Sequence, residues 1–145
     1  MLIPNRPYHR KEIDLLFTKA KAKMHQEALA RSGDGKALYI DCYTGETLRG
    51  GDRYDYEHVR SSEALFMVYR DRLTNFEIAE MVNCQKNVAV TLRSINQSKG
   101  KMRLEDWLSK SNNTINHNID IELAKKAAAI ADKEIQRKVQ EILSN

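Results

Sequence analysis

Tyr54-Asp55-Tyr56-Glu57-His58-Val59 decides the reading of this chain when set beside Asn87-Val88-Ala89-Val90-Thr91 and Asn96-Gln97-Ser98-Lys99-Gly100. The first stretch alternates and is rich in aromatics, and the second is β-branched, so both read as strands. Neighbouring residues of a strand point to opposite faces, so Glu57 and His58 approach one site only where the strand ends. Arg60-Ser61-Ser62 begins a loop at that point. Asp55 shares the face of Glu57 and is an outer ligand at most. A helix from about Leu92 carries Asn96 and ends at Gly100, a residue suited to the position after a helix. These groups suit one chemistry. A carboxylate and a carboxamide oxygen hold a hard divalent cation, and an imidazole that titrates near neutrality takes a proton from water.

In this order, with nine positions from Asn87 to Asn96, the segment from Tyr39 to Leu108 resembles the HNH endonucleases. The resemblance covers roughly half the chain and implies an α+β fold, with a ββα-metal hairpin and helix inside a shell of flanking and inserted helices. It further implies a metal-dependent DNA endonuclease that hydrolyses phosphodiester bonds by a one-metal, histidine general-base mechanism, leaving a 5′-phosphate and a 3′-hydroxyl. In that scheme His58 is the general base. Asn87 positions it by hydrogen bonds to the backbone of the intervening loop, and Glu57 and Asn96 ligate the metal. The implied cofactor is one divalent ion, Mg²⁺ with Mn²⁺ or another divalent ion as alternatives, and the implied partner is double-stranded DNA. Three departures stand out. Glu57 replaces the commoner Asp, the interval from His58 to Asn87 is long, and the paired Cys-x-x-Cys zinc clips are absent. Two other readings stay open: a non-catalytic nucleic-acid-binding module on an HNH scaffold, and a protein-interaction factor whose terminal helices join a larger assembly.

Composition agrees with one domain. A chain of 145 residues is long enough to bury a core without disulfides or a structural metal. Cys42 and Cys84 are the only cysteines, so neither a disulfide framework nor structural zinc is expected, although Cys42-Tyr43-Thr44-Gly45 looks like the remnant of a zinc-knuckle turn. No long apolar run or secretory signature is present. The expectation is therefore a cytoplasmic protein with no membrane partner, with export as a toxin, and an immunity protein or other protein partner, left open. Net charge is only +4, but from Glu80 to Glu105 no carboxylate intervenes while Lys86, Arg93, Lys99, Lys101 and Arg103 do. Phosphate contacts dominate nucleic-acid affinity, so Arg60, Arg93, Lys99, Lys101 and Arg103 are the candidate phosphate-binding residues. Clusters of charge are also the ordinary dress of a solvated helix face.

Three segments follow. Residues 1–36 hold an amphipathic helix from about His9 to Arg31, with Ile13, Leu16, Phe17, Ala20, Met24 and Ala28 at helical spacing and Gly33 as its stop. Residues 37–108 hold the nuclease-like core, opening on a strand at Ala37-Leu38-Tyr39-Ile40 and carrying a helical insertion at 61–83. There Ser62 can cap a first helix that packs Leu65, Val68 and Tyr69 inward. Thr74-Asn75-Phe76-Glu77 has the capping-box pattern of a second, with Ile78, Met81 and Val82 as its stripe. Leu104 and Trp107-Leu108 read as a core anchor. Residues 109–145 hold a polar linker, Ser109 to Asn118, and a last helix capped by Asp120, whose stripe of Ala124, Ala128, Ala131, Ile135, Val139 and Ile142 is expected to pack on the core. His9, His25 and His117 lack any comparable setting.

Overall fold

Helix α1 (Lys11–Ser32) stops where Gly33 takes a φ of 70° and returns its N–H to the Leu29 carbonyl, a left-handed conformation that favours glycine. The computed structural model describes residues 2–145. Strands β1 (Leu38–Ile40) and β2 (Thr47–Arg49) pair antiparallel, with Leu38 opposite Arg49. A second antiparallel pair joins β3 (Tyr54–His58) to β4 (Val88–Leu92), with Tyr54 opposite Leu92 and His58 opposite Val88. Between these two strands lie α2 (Ser62–Tyr69) and α3 (Asn75–Val82). After β4 come α4 (Arg93–Lys99), α5 (Leu104–Leu108), α6 (Ser111–Asn116) and α7 (Ile121–Leu143). The chain is thus α+β, with seven helices and two small antiparallel sheets among the described residues. No helix among them is long and apolar enough to cross a membrane.

Local chemistry explains most boundaries. The Thr74 hydroxyl accepts from the Glu77 N–H while the Glu77 carboxylate accepts from the Thr74 N–H, the reciprocal box that satisfies two free donors at the start of α3. Asp120 caps α7 by accepting from the Leu123 N–H. The cap of α2 is Ser61 rather than Ser62: its hydroxyl accepts from the Ala64 N–H, and the Ser62 hydroxyl instead meets Tyr8 at 2.6 Å. The supposed linker also differs, because α6 forms inside it and the chain turns just beyond its end at Asn118, with a φ of 55°. A short polar side chain tolerates this left-handed turn.

Three apolar clusters hold these elements together. One gathers Ile13, Phe66, Leu73, Ile78, Met81 and Val82 with Ile135 and Val139. The second surrounds Trp107 and Ile95 and includes Ala124, Ala128 and Ala131. The third ties Ala28 of α1 to Tyr39, Leu48 and Val90. Helix α7 therefore joins the first two, and its apolar stripe is packed. Its small residues let the helix lie close in the second cluster, and its larger ones fill the first. Val68, expected inward, is 57% exposed; Leu65 and Tyr69 are the residues of α2 that join Phe66 against the core.

The turn before β2 is clipped by a carboxylate. Asp41 is fully buried and accepts from the Tyr43 N–H at 2.8 Å, the Thr91 hydroxyl at 2.9 Å and the Leu92 N–H at 2.9 Å. A buried carboxylate is tolerable only with such a set of donors. Here that set fastens the Cys42-Tyr43-Thr44-Gly45 turn to β4 without sulfur ligands, and carries Tyr43 to Glu57.

Candidate functional site

Antiparallel pairing of β3 with β4 leads directly into α4, so the strand end at Glu57-His58 and the helix bearing Asn96 face one another. Their side chains line a cleft of about 630 Å³ together with Lys99, Lys101 and Arg10. Asp55 and Glu57 lie on the face of β3 that meets α4. His58 points to the other face, where its ring lies 4.3 Å from the Phe17 ring, centroid to centroid. Because it ends the strand, it still borders the cleft.

Glu57 is 6% exposed. Its Oε1 accepts the Tyr43 hydroxyl and lies 3.4 Å from the Lys99 ammonium, whereas its Oε2 is buried with no hydrogen-bond partner. Burial pushes the Glu57 carboxyl above the usual carboxylate range, against the opposing pull of Lys99 and Tyr43. A buried, unpartnered carboxylate oxygen costs stability unless something cationic or a donor reaches it. Asn96, on α4, lines the same cleft. Its Nδ2 donates to Asp55 Oδ2 at 3.0 Å, and because a carboxylate only accepts, this bond fixes the amide orientation and leaves Oδ1 unengaged among the described residues. Asp55 also accepts from Arg93 Nε at 2.9 Å.

Those observations bear on whether a divalent cation suits the residues present. Among the described residues, no three His, Cys, Asp or Glu side chains are grouped to hold an ion. The chain offers instead one carboxylate oxygen lacking a partner and one free amide oxygen. Hard cations take oxygen ligands, and Mg²⁺ keeps several waters when the protein supplies only one or two. The donor set fits such an ion.

His58 has a defined tautomer. Its Nε2 lies 2.8 Å from Asn83 Oδ1. The orientation of Asn83 is fixed because its Nδ2 donates to the carbonyls of Ile13 and Ala79 at 3.1 and 2.9 Å. Nε2 therefore carries the proton and Nδ1 is the basic nitrogen. Burial holds the His58 pKa down to about 4, with nearby Arg10 and Lys99 adding to the effect and the Asn83 bond opposing it. The ring is neutral at neutral pH, as a proton acceptor must be.

This depression has a consequence for stability. The folded pKa of about 4 lies below the unfolded value near 6.5, so as pH falls the unfolded chain takes the proton first. The contribution of neutral His58 is whole above about pH 6.5 and is lost between there and about pH 4, amounting to about 2 to 3 kcal/mol. Urea unfolding at pH 7.5 and pH 4.5 measures it: wild type is expected to lose that much more stability than His58→Gln. Equal losses would mean the ring is not buried as described.

Asn87 does not face the cleft. It is fully buried just before β4. Its Oδ1 accepts from the Arg60 N–H at 2.8 Å, and its Nδ2 donates to the carbonyls of Arg60 and Val82 at 3.1 and 2.8 Å. With the Asn87 carbonyl accepting from the Val59 N–H at 2.8 Å, the residue clamps the chain immediately after His58.

The five basic residues proposed for phosphate part company in the structure. Lys101 is almost fully exposed at the cleft, and Arg93 and Arg103 are half exposed or more, with carboxylate neighbours. Lys99 is buried against Glu57. Arg60 is the correction: its guanidinium binds Glu105 at 2.5 Å and Asp132 at 2.7 Å, so it ties the loop after β3 to α5 and α7 rather than standing ready for phosphate. The Arg60 pair holds the Glu105 carboxyl down to about 2.

Three contributors escaped the sequence reading: Asn83, Tyr43 and Arg10. An asparagine at a helix end, a tyrosine in a turn and an arginine before a helix carry no spacing signal, since each reaches the site through tertiary packing. Arg10 borders the cleft and donates to the Ser62 and Tyr8 hydroxyls at 3.2 and 3.3 Å.

Comparison with protein-family models, with curated proteins and with solved structures finds no match to this chain.

Proposed function

We propose that this chain is a metal-dependent DNA endonuclease of the HNH type, with the cleft between the end of β3 and α4 as its active site. The observation that carries this reading is the meeting, in one cleft, of a buried carboxylate oxygen without a partner, a free amide oxygen and a neutral imidazole with a defined basic nitrogen. Glu57 and Asn96 would hold the ion. When bound, the ion would supply positive charge to neutralise the leaving 3′ oxygen. His58 takes a proton at Nδ1 from the attacking water as its oxygen bonds to phosphorus. The bond from phosphorus to the 3′ oxygen breaks as that oxygen takes a proton from solvent water, leaving a 5′-phosphate and a 3′-hydroxyl. Asn83 and the Phe17 ring keep the imidazole oriented, and Asn87 fixes the backbone that follows it. Lys101, Arg93 and Arg103 supply charge for the flanking phosphates of double-stranded DNA.

Titrating Mg²⁺ in a plasmid-nicking assay tests the ligand assignment. Asn96→Ala is expected to need about tenfold more Mg²⁺ for half-maximal cutting and to recover much of its rate at saturation. An unchanged midpoint would remove Asn96 from the metal site. One observation favours the non-catalytic alternative: the Lys99 ammonium already lies against Glu57. Equal DNA binding with and without Mg²⁺, and no cutting in either, would carry that reading.

A further inference from the structure

Lys99 and Glu57 are each only half satisfied by the other. Lys99 is 5% exposed, and an ammonium brought out of water needs acceptors for its three donors. Its sole carboxylate partner among the described residues is Glu57, at 3.4 Å. Glu57 in turn has one oxygen with no partner at all. A buried ion pair built only for stability would close these valences, because the cost of desolvating both charges is recovered only with good geometry and further hydrogen bonds. This pair lines the wall of a cleft instead. Lys99 follows Asn96 by three positions on α4, so both side chains leave the helix on one side, and both meet carboxylates of β3.

We propose that Lys99 is an exchangeable counter-ion: it neutralises Glu57 in the free protein, gives way there to a divalent cation, and turns its ammonium to a phosphate oxygen in the same cleft. This inference rests on the metal-dependent reading above. It makes the cleft anion-accepting only once the cation is in place, since the same positive charge cannot serve Glu57 and a phosphate fully at once. The positive charge of Lys99 also opposes cation entry, so the free protein binds metal weakly until that charge is removed.

Calorimetric titration with Mn²⁺ alone, without nucleic acid, tests the exchange. Lys99→Gln and Lys99→Met are each expected to bind Mn²⁺ at least tenfold tighter than wild type, while Lys99→Arg, which keeps the charge, does not. In the wild-type protein, acylation of the Lys99 amine by a water-soluble acetyl ester, followed by mass spectrometry, is expected to rise several-fold when Mg²⁺ is added. This second measurement does not depend on any variant folding. If Glu57→Gln abolishes Mn²⁺ binding but neutral substitutions of Lys99 leave it no tighter, the exchange is overturned and the metal reading stands. Unchanged Lys99 acylation with Mg²⁺ likewise overturns the exchange. If neither wild type nor any Lys99 variant binds millimolar Mn²⁺, the metal reading falls and the exchange falls with it.

Discussion

His58→Ala is expected to slow DNA cleavage by about 10² to 10⁴-fold, the ordinary worth of a positioned general base. Binding should be largely spared. The proposed ion ligands are Glu57 and Asn96, and the Asn96 amide is oriented by Asp55, not by the imidazole. The proposed phosphate contacts come from Lys101 at the cleft and from Arg93 and Arg103 outside it. Comparing cleavage rate with DNA affinity separates these contributions. If DNA affinity fell in step with rate, His58 would be a contact or structural residue, and another group would have to accept the proton. The structure also indicates which variant preserves the local packing: His58→Gln keeps a polar group near Asn83 Oδ1 but offers no basic nitrogen, so it should be as inactive as the alanine variant.

Asn87→Ala is expected to be the most destabilising of the site substitutions. It would leave the Arg60 N–H and the carbonyls of Arg60 and Val82 without their buried partner. Unsatisfied buried groups cost about 1 to 3 kcal/mol each, and neighbouring ones do not add fully, so a loss of about 3 to 4 kcal/mol in denaturant unfolding is expected. Because the clamp governs the chain after His58, cleavage should also slow at saturating Mg²⁺, measured below the unfolding transition. The two asparagines then separate cleanly: added metal should restore Asn96→Ala and not Asn87→Ala. The reverse pattern would exchange or void their roles.

How far the sequence reveals this arrangement depends on how local the deciding forces are. The capping box at Thr74-Glu77, the stop at Gly33 and the alanine-rich stripe of α7 are readable because each is set within one or two turns of chain. The pairing of β3 with β4 follows from an alternating, aromatic stretch and a β-branched one, even with two helices between them. Other features depend on distant partners. The three residues of β2 form a strand only because β1 pairs with them, and α6 forms within a polar stretch whose composition suggests a loop. Ser61 and Ser62 are chemically equivalent choices of cap until Tyr8, far away in sequence, engages one of them. The types and order of Glu57, His58, Asn87 and Asn96 are legible in the sequence, whereas their orienting partners are not. Asn83 lies twenty-five residues from His58, and only the folding of α3 against α1 brings its amide there. Arg60 shows the opposite hazard: a cation beside a catalytic-looking motif suggests phosphate, but Glu105 and Asp132 arrive from other helices and engage it.

The most direct measurement is incubation of purified protein with supercoiled plasmid in Mg²⁺ and, in parallel, in excess chelator, with His58→Ala alongside. Conversion to open-circular and linear DNA is expected from the wild type in Mg²⁺ alone, with little or none in chelator or with the variant. Full cutting in excess chelator, or by His58→Ala, would contradict it, as would intact plasmid throughout with folded protein and saturating Mg²⁺ and Mn²⁺.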